Sequence, residues 1–143
     1  MSEIKIAGVM RSRDYSPNHI GNDAAIFNAT AEQLRKRGFV VNVYSEEKFK
    51  SCDIEEDVVL NMCRDAASIA KLQKLEDAGK LVLNSGYGIE NCTRERMARI
   101  LLGSGIPYPE SIIVNTDESV KDMLTRVGMN NCWVKCGGHS QHK

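Results

Sequence analysis

Short apolar runs alternate with amphipathic segments along the first two thirds of the chain. Four of these runs are rich in Val, Ile and Leu and are bounded by polar residues or glycine, which is typical of buried strands. Their alternation with helices predicts βαβ crossovers and a parallel sheet with helices on both faces, which is an α/β fold. The predicted strands are residues 4–10, 39–44, 58–63 and 81–84.

Two amphipathic helices lie between these strands. We expect Asn22 to cap the first helix, which ends at Gly38, and Asp65 to cap the second, which ends at Gly79. The acidic and lysine-rich residues 45–57 are interpreted as a connection. The inward faces of the two helices are formed by Ala24, Phe27, Ala31 and Leu34 and by Ile69, Leu72 and Leu75.

The pattern changes after Gly86-Tyr87-Gly88, which we interpret as a turn. Residues 1–88 are predicted to form the α/β domain, and residues 89–143 a truncated α+β subdomain, because two helices and two strands leave much apolar surface uncovered. The expected elements of this second portion are a helix capped by Thr93 with Met97, Ile100 and Leu101 inward, a strand from Ser111 to Val114, a helix from Asp117 to Val127 capped by Thr116, and a strand around Trp133.

Charge and hydropathy exclude several classes of partner. The 143-residue chain has 19 Lys plus Arg and 19 Asp plus Glu, so its formal net charge is zero and any anion site must be local. We therefore predict no nucleic acid or membrane partner. The chain has no apolar run long enough to span a bilayer, and its first residues turn polar too soon for a signal peptide. We expect a cytoplasmic protein.

The five cysteines are irregularly spaced, which is typical of a reducing compartment rather than of a disulfide framework. Four potential zinc ligands lie close together in sequence near Lys143. If residues 132–136 form an extended strand, its two end cysteines lie roughly 13 Å apart, too far to share one tetrahedral ion. We predict no metal site in this chain. The four ligands considered are Cys132, Cys136, His139 and His142.

Cations collect after the first and third predicted strands, at the end of a parallel sheet where ligands bind. The loop of residues 11–22 carries Arg11, Arg13 and His19 and leads into a helix N-terminus, whose free N–H groups favour a carboxylate or phosphate. Arg64 follows the third strand and is expected at the same edge. A polar surface loop would explain the same residues, and we favour the interpretation that this edge binds substrate.

Two further cations stand out in the second portion. Arg94 opens a helix, where a cation opposes the helix macrodipole, so its placement hints at an external anion. Lys135 ends the apolar run Cys132-Trp133-Val134 and precedes Gly137-Gly138, whose backbone N–H groups suit a phosphate. Taken alone, a surface cation explains Lys135 better, and either interpretation suits Arg94.

The order of these features resembles the ATP-grasp family of ATP-dependent ligases. Behind a Rossmann-like domain, a helix opened by a cation precedes Gly105-Ile106-Pro107-Tyr108-Pro109, a strand, a helix and a strand that ends in lysine. The resemblance covers nearly the whole chain and implies that Arg94, Lys135 and Ser140 bind the nucleotide. It also places Asn84 where the fourth strand of the family commonly ends in asparagine.

Two positions depart from the family pattern. Thr93-Arg94 stands in place of Asp-Lys at the helix start and keeps both a cap and a cation. His139 and His142 stand where the phosphate loop of relatives has glycines, and side chains there obstruct close approach of the backbone to phosphate.

The resemblance implies the N-terminal portion of a carboxylate–amine or carboxylate–thiol ligase that acts through an acylphosphate. Its ligands would be ATP and a small carboxylate, with Mg²⁺ bridging the phosphates. The metal ligands are expected beyond Lys143, so the 143-residue chain alone is expected to be inactive. A homodimer is one arrangement that the sequence leaves open. The alternative is a non-catalytic α/β module that binds a small anion or is receiver-like, although the acidic cluster of receivers is missing after the first strand.

Overall fold

A computed structural model describes residues 3–15, 20–115, 117–128 and 132–135. These residues divide into two compact units, one up to Asn91 and one from Cys92. No helix among them is long and apolar enough to cross a membrane. In chain order the elements are β1 (Lys5–Val9), a 3-10 helix (Arg13–Tyr15), α1 (Ile20–Lys36), β2 (Val40–Tyr44), α2 (Glu46–Ser51), β3 (Val58–Asn61), α3 (Ala66–Asp77), β4 (Leu81–Leu83), α4 (Gly86–Asn91), α5 (Arg94–Gly103) and α6 (Val120–Val127).

The four strands of the first unit form one parallel sheet in the order β2-β1-β3-β4. This confirms the predicted α/β architecture with a parallel, Rossmann-like sheet. The chain adds β2 on one side of β1, and then β3 and β4 on the other. The carboxyl ends of β1 and β3 therefore border a topological switch point, the place where open parallel sheets bind ligands.

Helices cover the two faces of this sheet. On one face, Ala31 of α1 packs against Ile6 of β1 and Val41 of β2. The other face packs against α2 and α3, and its core is more extensive. Both clusters remove apolar side chains from water, which is the main stabilising contribution to the fold. The second cluster comprises Ala7, Val9, Phe49, Ile54, Val59, Cys63, Leu72 and Val82.

Helix α1 begins at Ile20, so the predicted cap is wrong, because Asn22 lies inside the first turn. Apolar periodicity marks only the part of a helix that faces the core, and this exposed first turn carries no such signal. The predicted C-terminus is confirmed. Gly38 has a left-handed φ of 88°, and the N–H of Phe39 donates to the carbonyl of Leu34 at 3.2 Å.

Two short helices form where irregular structure was predicted. Helix α2 lies within the segment interpreted as a connection; the Ser45 side chain caps it by accepting the N–H of Lys48, and Phe49 is fully buried. Helix α4 begins at Gly86, in the predicted turn. A serine followed by acidic residues and then an apolar one is the only sequence signal for α2, and it extends over little more than one turn.

The second unit contributes α5 and α6 to the described part of the chain. Neither residues 111–114 nor residues 132–135 form a strand, so the structure does not show the predicted ATP-grasp subdomain. A strand needs a neighbour for its backbone hydrogen bonds, and no described segment pairs with either. Met97 and Ile100 are 39% and 46% exposed, contrary to the prediction, whereas Ala98 is buried.

Helix α6 is shorter than predicted. It begins at Val120, where the Ser119 side chain accepts the N–H of Asp122 at 3.4 Å, and not at Asp117. The Ser119 hydroxyl satisfies one of the backbone N–H groups of the first turn that have no partner within the helix, so the helix starts at that point. The predicted cap, Thr116, lies outside the described residues.

Gly86 lies where α4 meets α3 at very close range. A Cβ atom built on Gly86 would lie 2.9 Å from the backbone N of Gln73 and 2.9 Å from the Cβ of Leu72. Both neighbours belong to the rigid frame of α3, so neither is able to yield as a flexible side chain would. The close approach therefore requires glycine at this position.

We expect Gly86→Ala to lower the free energy of unfolding by about 1–3 kcal/mol, the usual cost of overpacking. Gly88→Ala is the matched control in the same helix, because a Cβ there meets Ser85 at an ordinary 3.5 Å. Alanine is the better helix former, so the control should be neutral or more stable by up to about 1 kcal/mol. Urea denaturation of both variants measures the difference, and equal stabilities would contradict the close-packing argument.

Candidate functional site

Two loops border the switch point of the sheet. The loop after β1 carries Arg11, Ser12 and Arg13, and the loop after β3 carries Arg64 and Asp65. Parallel pairing of β1 with β3 brings both loops to the same edge. The sequence-based prediction that Arg11, Arg13 and Arg64 belong to strand ends at one edge therefore agrees with the backbone.

The Glu46 carboxylate joins the two loops. It is only 1% exposed and accepts three backbone hydrogen bonds, from Ser12 at 2.8 Å to Oε2, and from Arg64 at 3.0 Å and Asp65 at 2.9 Å to Oε1. Hydrogen bonds to a charged group are stronger than those between neutral groups. Sequence reasoning missed this residue, since it lies at the start of the unpredicted helix α2.

Cys63 is a buried neighbour of Glu46 and is 1% exposed. Burial raises the pKa of the Cys63 thiol well above its ordinary value, and the neighbouring Glu46 carboxylate raises it further. The thiol therefore stays protonated at neutral pH. A protonated, buried thiol is a poor nucleophile, so Cys63 belongs to the core and not to a reactive centre.

Arg11 is held by its neighbours within the first unit. Its Nη1 atom lies 2.9 Å from Oδ2 of Asp23 in the first turn of α1, and its Nε donates to the carbonyl of Met62 at 3.4 Å. The guanidinium thus connects the loop after β1 to both α1 and the loop after β3. Its predicted contact with substrate stays a prediction, and the geometry favours a positioning role.

Asp65 caps α3 as predicted, with its Oδ1 accepting the N–H groups of Ala67 at 3.0 Å and Ser68 at 3.2 Å. Partial burial acts to raise the pKa of Asp65, but the N–H of Ser68 and the Lys50 ammonium outweigh it and lower the pKa. Tyr15 donates its hydroxyl to Asp65 Oδ2 at 3.3 Å. Burial first, and the Asp65 charge second, raise the pKa of Tyr15, so both groups keep their ordinary charge states at neutral pH.

Arg13 and Arg64 are exposed cations at this edge. Only the backbone of Arg64 is engaged, through its N–H to Glu46. Neither guanidinium has a hydrogen-bond or ion-pair partner within the described ranges of the chain. These two side chains are therefore available to an anionic ligand.

An amide pair connects the ends of β3 and β4. Asn61 is fully buried, and its Nδ2 donates to the carbonyls of Leu83 at 2.9 Å and Asn84 at 2.8 Å. In return, Asn84 Nδ2 donates to the carbonyl of Asn61 at 2.7 Å, while Asn84 itself has a left-handed φ of 43°. Asparagine tolerates this conformation better than most residues. Asn84 thus has a structural role at the edge.

The predicted nucleotide contacts belong to the second unit. Arg94 is the first residue of α5 and is half-buried, and Lys135 is exposed. Thr93 occupies the cap position but makes no capping hydrogen bond through its side chain. Ser140 and the predicted substrate contact His19 lie outside the described residues.

No known protein family, curated protein or solved structure matches this chain. The ATP-grasp resemblance therefore rests on the motifs quoted above. Among the described residues, no group of three or more His, Cys, Asp and Glu side chains is arranged to hold a metal ion.

A second buried carboxylate, that of Glu56, lies just before the amino end of β3, whereas Glu46 lies near the carboxyl end of that strand. Glu56 is 4% exposed, and its Oε1 accepts the hydroxyl of Tyr44 at 2.6 Å and the amide of Asn42 at 2.9 Å. Burial acts to raise the pKa of Glu56, but these two donors outweigh it and lower the pKa. The same hydrogen bond raises the pKa of Tyr44 to about 12. This cluster connects β2 to the segment before β3 and is structural.

We expect Tyr44→Phe to lower the free energy of unfolding by about 1.5–3 kcal/mol at neutral pH, because a buried carboxylate loses a donor. Because the pKa of Glu56 is lower in the folded than in the unfolded protein, Glu56 stabilises the fold at pH values above its unfolded pKa of about 4.3. This contribution is lost as the pH falls through the folded pKa of Glu56. Because the pKa of Tyr44 is raised to about 12 in the folded protein, Tyr44 stabilises the fold at pH values below its ordinary pKa of about 10. This contribution is lost as the pH rises towards about 12.

The difference between wild type and Tyr44→Phe should therefore be largest near neutral pH and shrink in acid and in alkali. Tyr87→Phe is the matched control, because Tyr87 also donates to a carboxylate, Asp77, at 2.9 Å, but is 45% exposed. We expect the control to change stability by less than about 0.5 kcal/mol. Denaturation curves across pH decide the point, and equal effects of the two variants would contradict it.

Proposed function

We propose that this chain forms the N-terminal portion of an ATP-dependent carboxylate ligase, in which the first unit binds the carboxylate substrate. The observation that carries the proposal is the pair of guanidiniums, Arg13 and Arg64, at the switch point of a parallel sheet, where neither has a partner among the described residues. Open parallel sheets bind ligands at this place, and arginine matches the geometry of a carboxylate. Arg11 supports the site indirectly by holding the loop after β1 against α1.

The nucleotide contacts are proposed in the second unit. Arg94 at the start of α5, Lys135 and Ser140 would bind the ATP phosphates, as the resemblance implies. In the proposed reaction a carboxylate oxygen attacks the γ-phosphorus, ADP leaves, and an amine or thiol then displaces phosphate from the acylphosphate.

We expect Arg13→Ala and Arg64→Ala in the full-length protein each to raise the KM of the carboxylate substrate about tenfold or more, while the KM for ATP stays nearly unchanged. The substrate is the carboxylate that supports ADP release in a screen of small acids. Arg37→Ala is the matched control, because Arg37 is exposed and precedes β2, at the opposite edge of the sheet. A carboxylate KM unaltered in both test variants would place the substrate elsewhere.

We also expect Arg94→Ala and Lys135→Ala to weaken ATP binding by about 1.5–3 kcal/mol each, the range for hydrogen bonds to charged groups. Arg99→Ala is the control within α5, since Arg99 already pairs with Glu95 at 2.9 Å, and Lys121→Ala is an exposed control in α6. Isothermal titration calorimetry measures the four affinities. If the test variants bind ATP as the controls do, the two residues are surface cations.

The alternative function, a non-catalytic module that binds a small anion, uses the same Arg13 and Arg64. The two functions differ in their dependence on nucleotide. A ligase releases ADP only when the carboxylate is present, whereas a binding module retains the anion with no ATP turnover. Anion binding that depends on Arg13 and Arg64, without ADP release by the full-length protein, would favour the module.

A further inference from the structure

Three backbone N–H groups from two separate loops converge on one side chain at the switch point. They are those of Ser12, Arg64 and Asp65, and their acceptor is the carboxylate of Glu46. Converging backbone N–H groups are a common means by which proteins bind carboxylates and phosphates. In this protein the donors of such a site are already occupied by a residue of the chain itself.

We propose that Glu46 is an internal anion that occupies the main-chain anion site of the sheet edge. As a positioning residue it also holds the loops that carry Arg13 and Arg64. An external carboxylate is then recognised by the two guanidiniums and not by the main chain. This last step rests on the proposed function, whereas the occupation of the site by Glu46 does not.

The burial of Glu46 supports this assignment. A carboxylate that is 1% exposed requires compensation, because transfer of an unpaired charge out of water is very costly. Among the described residues no cation forms an ion pair with Glu46, so backbone dipoles supply the compensation.

The arrangement has a consequence for specificity. A phosphate or carboxylate that approached the same N–H groups would find them occupied and would meet the negative charge of Glu46. It would therefore stay further out, within reach of Arg13 and Arg64. Glu46 thus determines where on this edge an anion binds.

The test uses the fact that Glu46→Ala removes the atoms of one acetate ion. We expect this variant to lose about 5–15 °C in Tm, because three backbone donors are left without an acceptor. Sodium acetate at 0.5 M should restore about 2–5 °C relative to sodium chloride of equal ionic strength, by binding the folded state. Acetamide, which has the same shape and no charge, should not restore it. The restoration is the excess of the acetate effect over that on wild type, in which acetate reaches only Arg13 and Arg64.

Glu46→Gln is the second variant, for the case that Glu46→Ala does not fold. Its amide fills the cavity but offers one acceptor and directs two donors at the N–H groups, so it should lower Tm and respond to acetate no more than wild type does. Equal effects of acetate, chloride and acetamide on folded Glu46→Ala would overturn the proposal. A wild-type Tm for Glu46→Gln would also overturn it, whether or not the alanine variant folds.

The result separates this inference from the proposed function. Acetate rescue needs only the backbone donors, so Arg13→Ala and Arg64→Ala in the Glu46→Ala background should leave it unchanged. Rescue together with an unaltered substrate KM in the arginine variants would support the internal anion and reject the ligase site. Loss of rescue when the two arginines are removed would show that acetate binds the guanidiniums, and would overturn the assignment to Glu46.

Discussion

The hydrogen bonds of the Glu46 carboxylate hold together the two loops at the carboxyl ends of β1 and β3. Oε2 holds the loop after β1 through Ser12, and Oε1 holds the loop after β3 through Arg64 and Asp65. Parallel strands align their carboxyl ends, but they do not set the course of the loops beyond. The Glu46 carboxylate fixes part of that course, because a loop that moved away from it would leave a buried acceptor without its donor. The ion pair between Arg11 and Asp23 adds α1 to the same frame.

The fold of the first unit could be predicted because each strand and each long helix carries its own periodicity. Strand ends were predicted less well, for a local reason. The third strand was expected to reach Cys63, but it ends at Asn61, whose Oδ1 accepts the N–H of Cys63 at 3.1 Å. That N–H is thereby removed from the ladder of the sheet. Side chains that compete for backbone groups at strand ends leave no signature in hydrophobic patterning.

The candidate site was predictable only in part. Parallel topology alone brings Arg13 and Arg64 to one edge, so strand order was sufficient to place them. The engagement of Arg11 with Asp23 and the role of Glu46 depend on contacts between distant parts of the chain, which local patterns do not encode. In the second unit the apolar segments 111–114 and 132–135 have strand-like composition, but composition does not supply a neighbouring strand.

Cys63 gives this edge a chemical property of its own. Its thiol lies in the core behind the Glu46 carboxylate and has little thiolate character, whereas Cys92 and Cys132 are exposed. Alkylating reagents attack thiolates, so the exposed thiols react in the native protein and Cys63 reacts only when the layer above it opens. The rate at which Cys63 is alkylated therefore reports how often this edge of the sheet opens locally, and no additional cysteine has to be introduced to measure it.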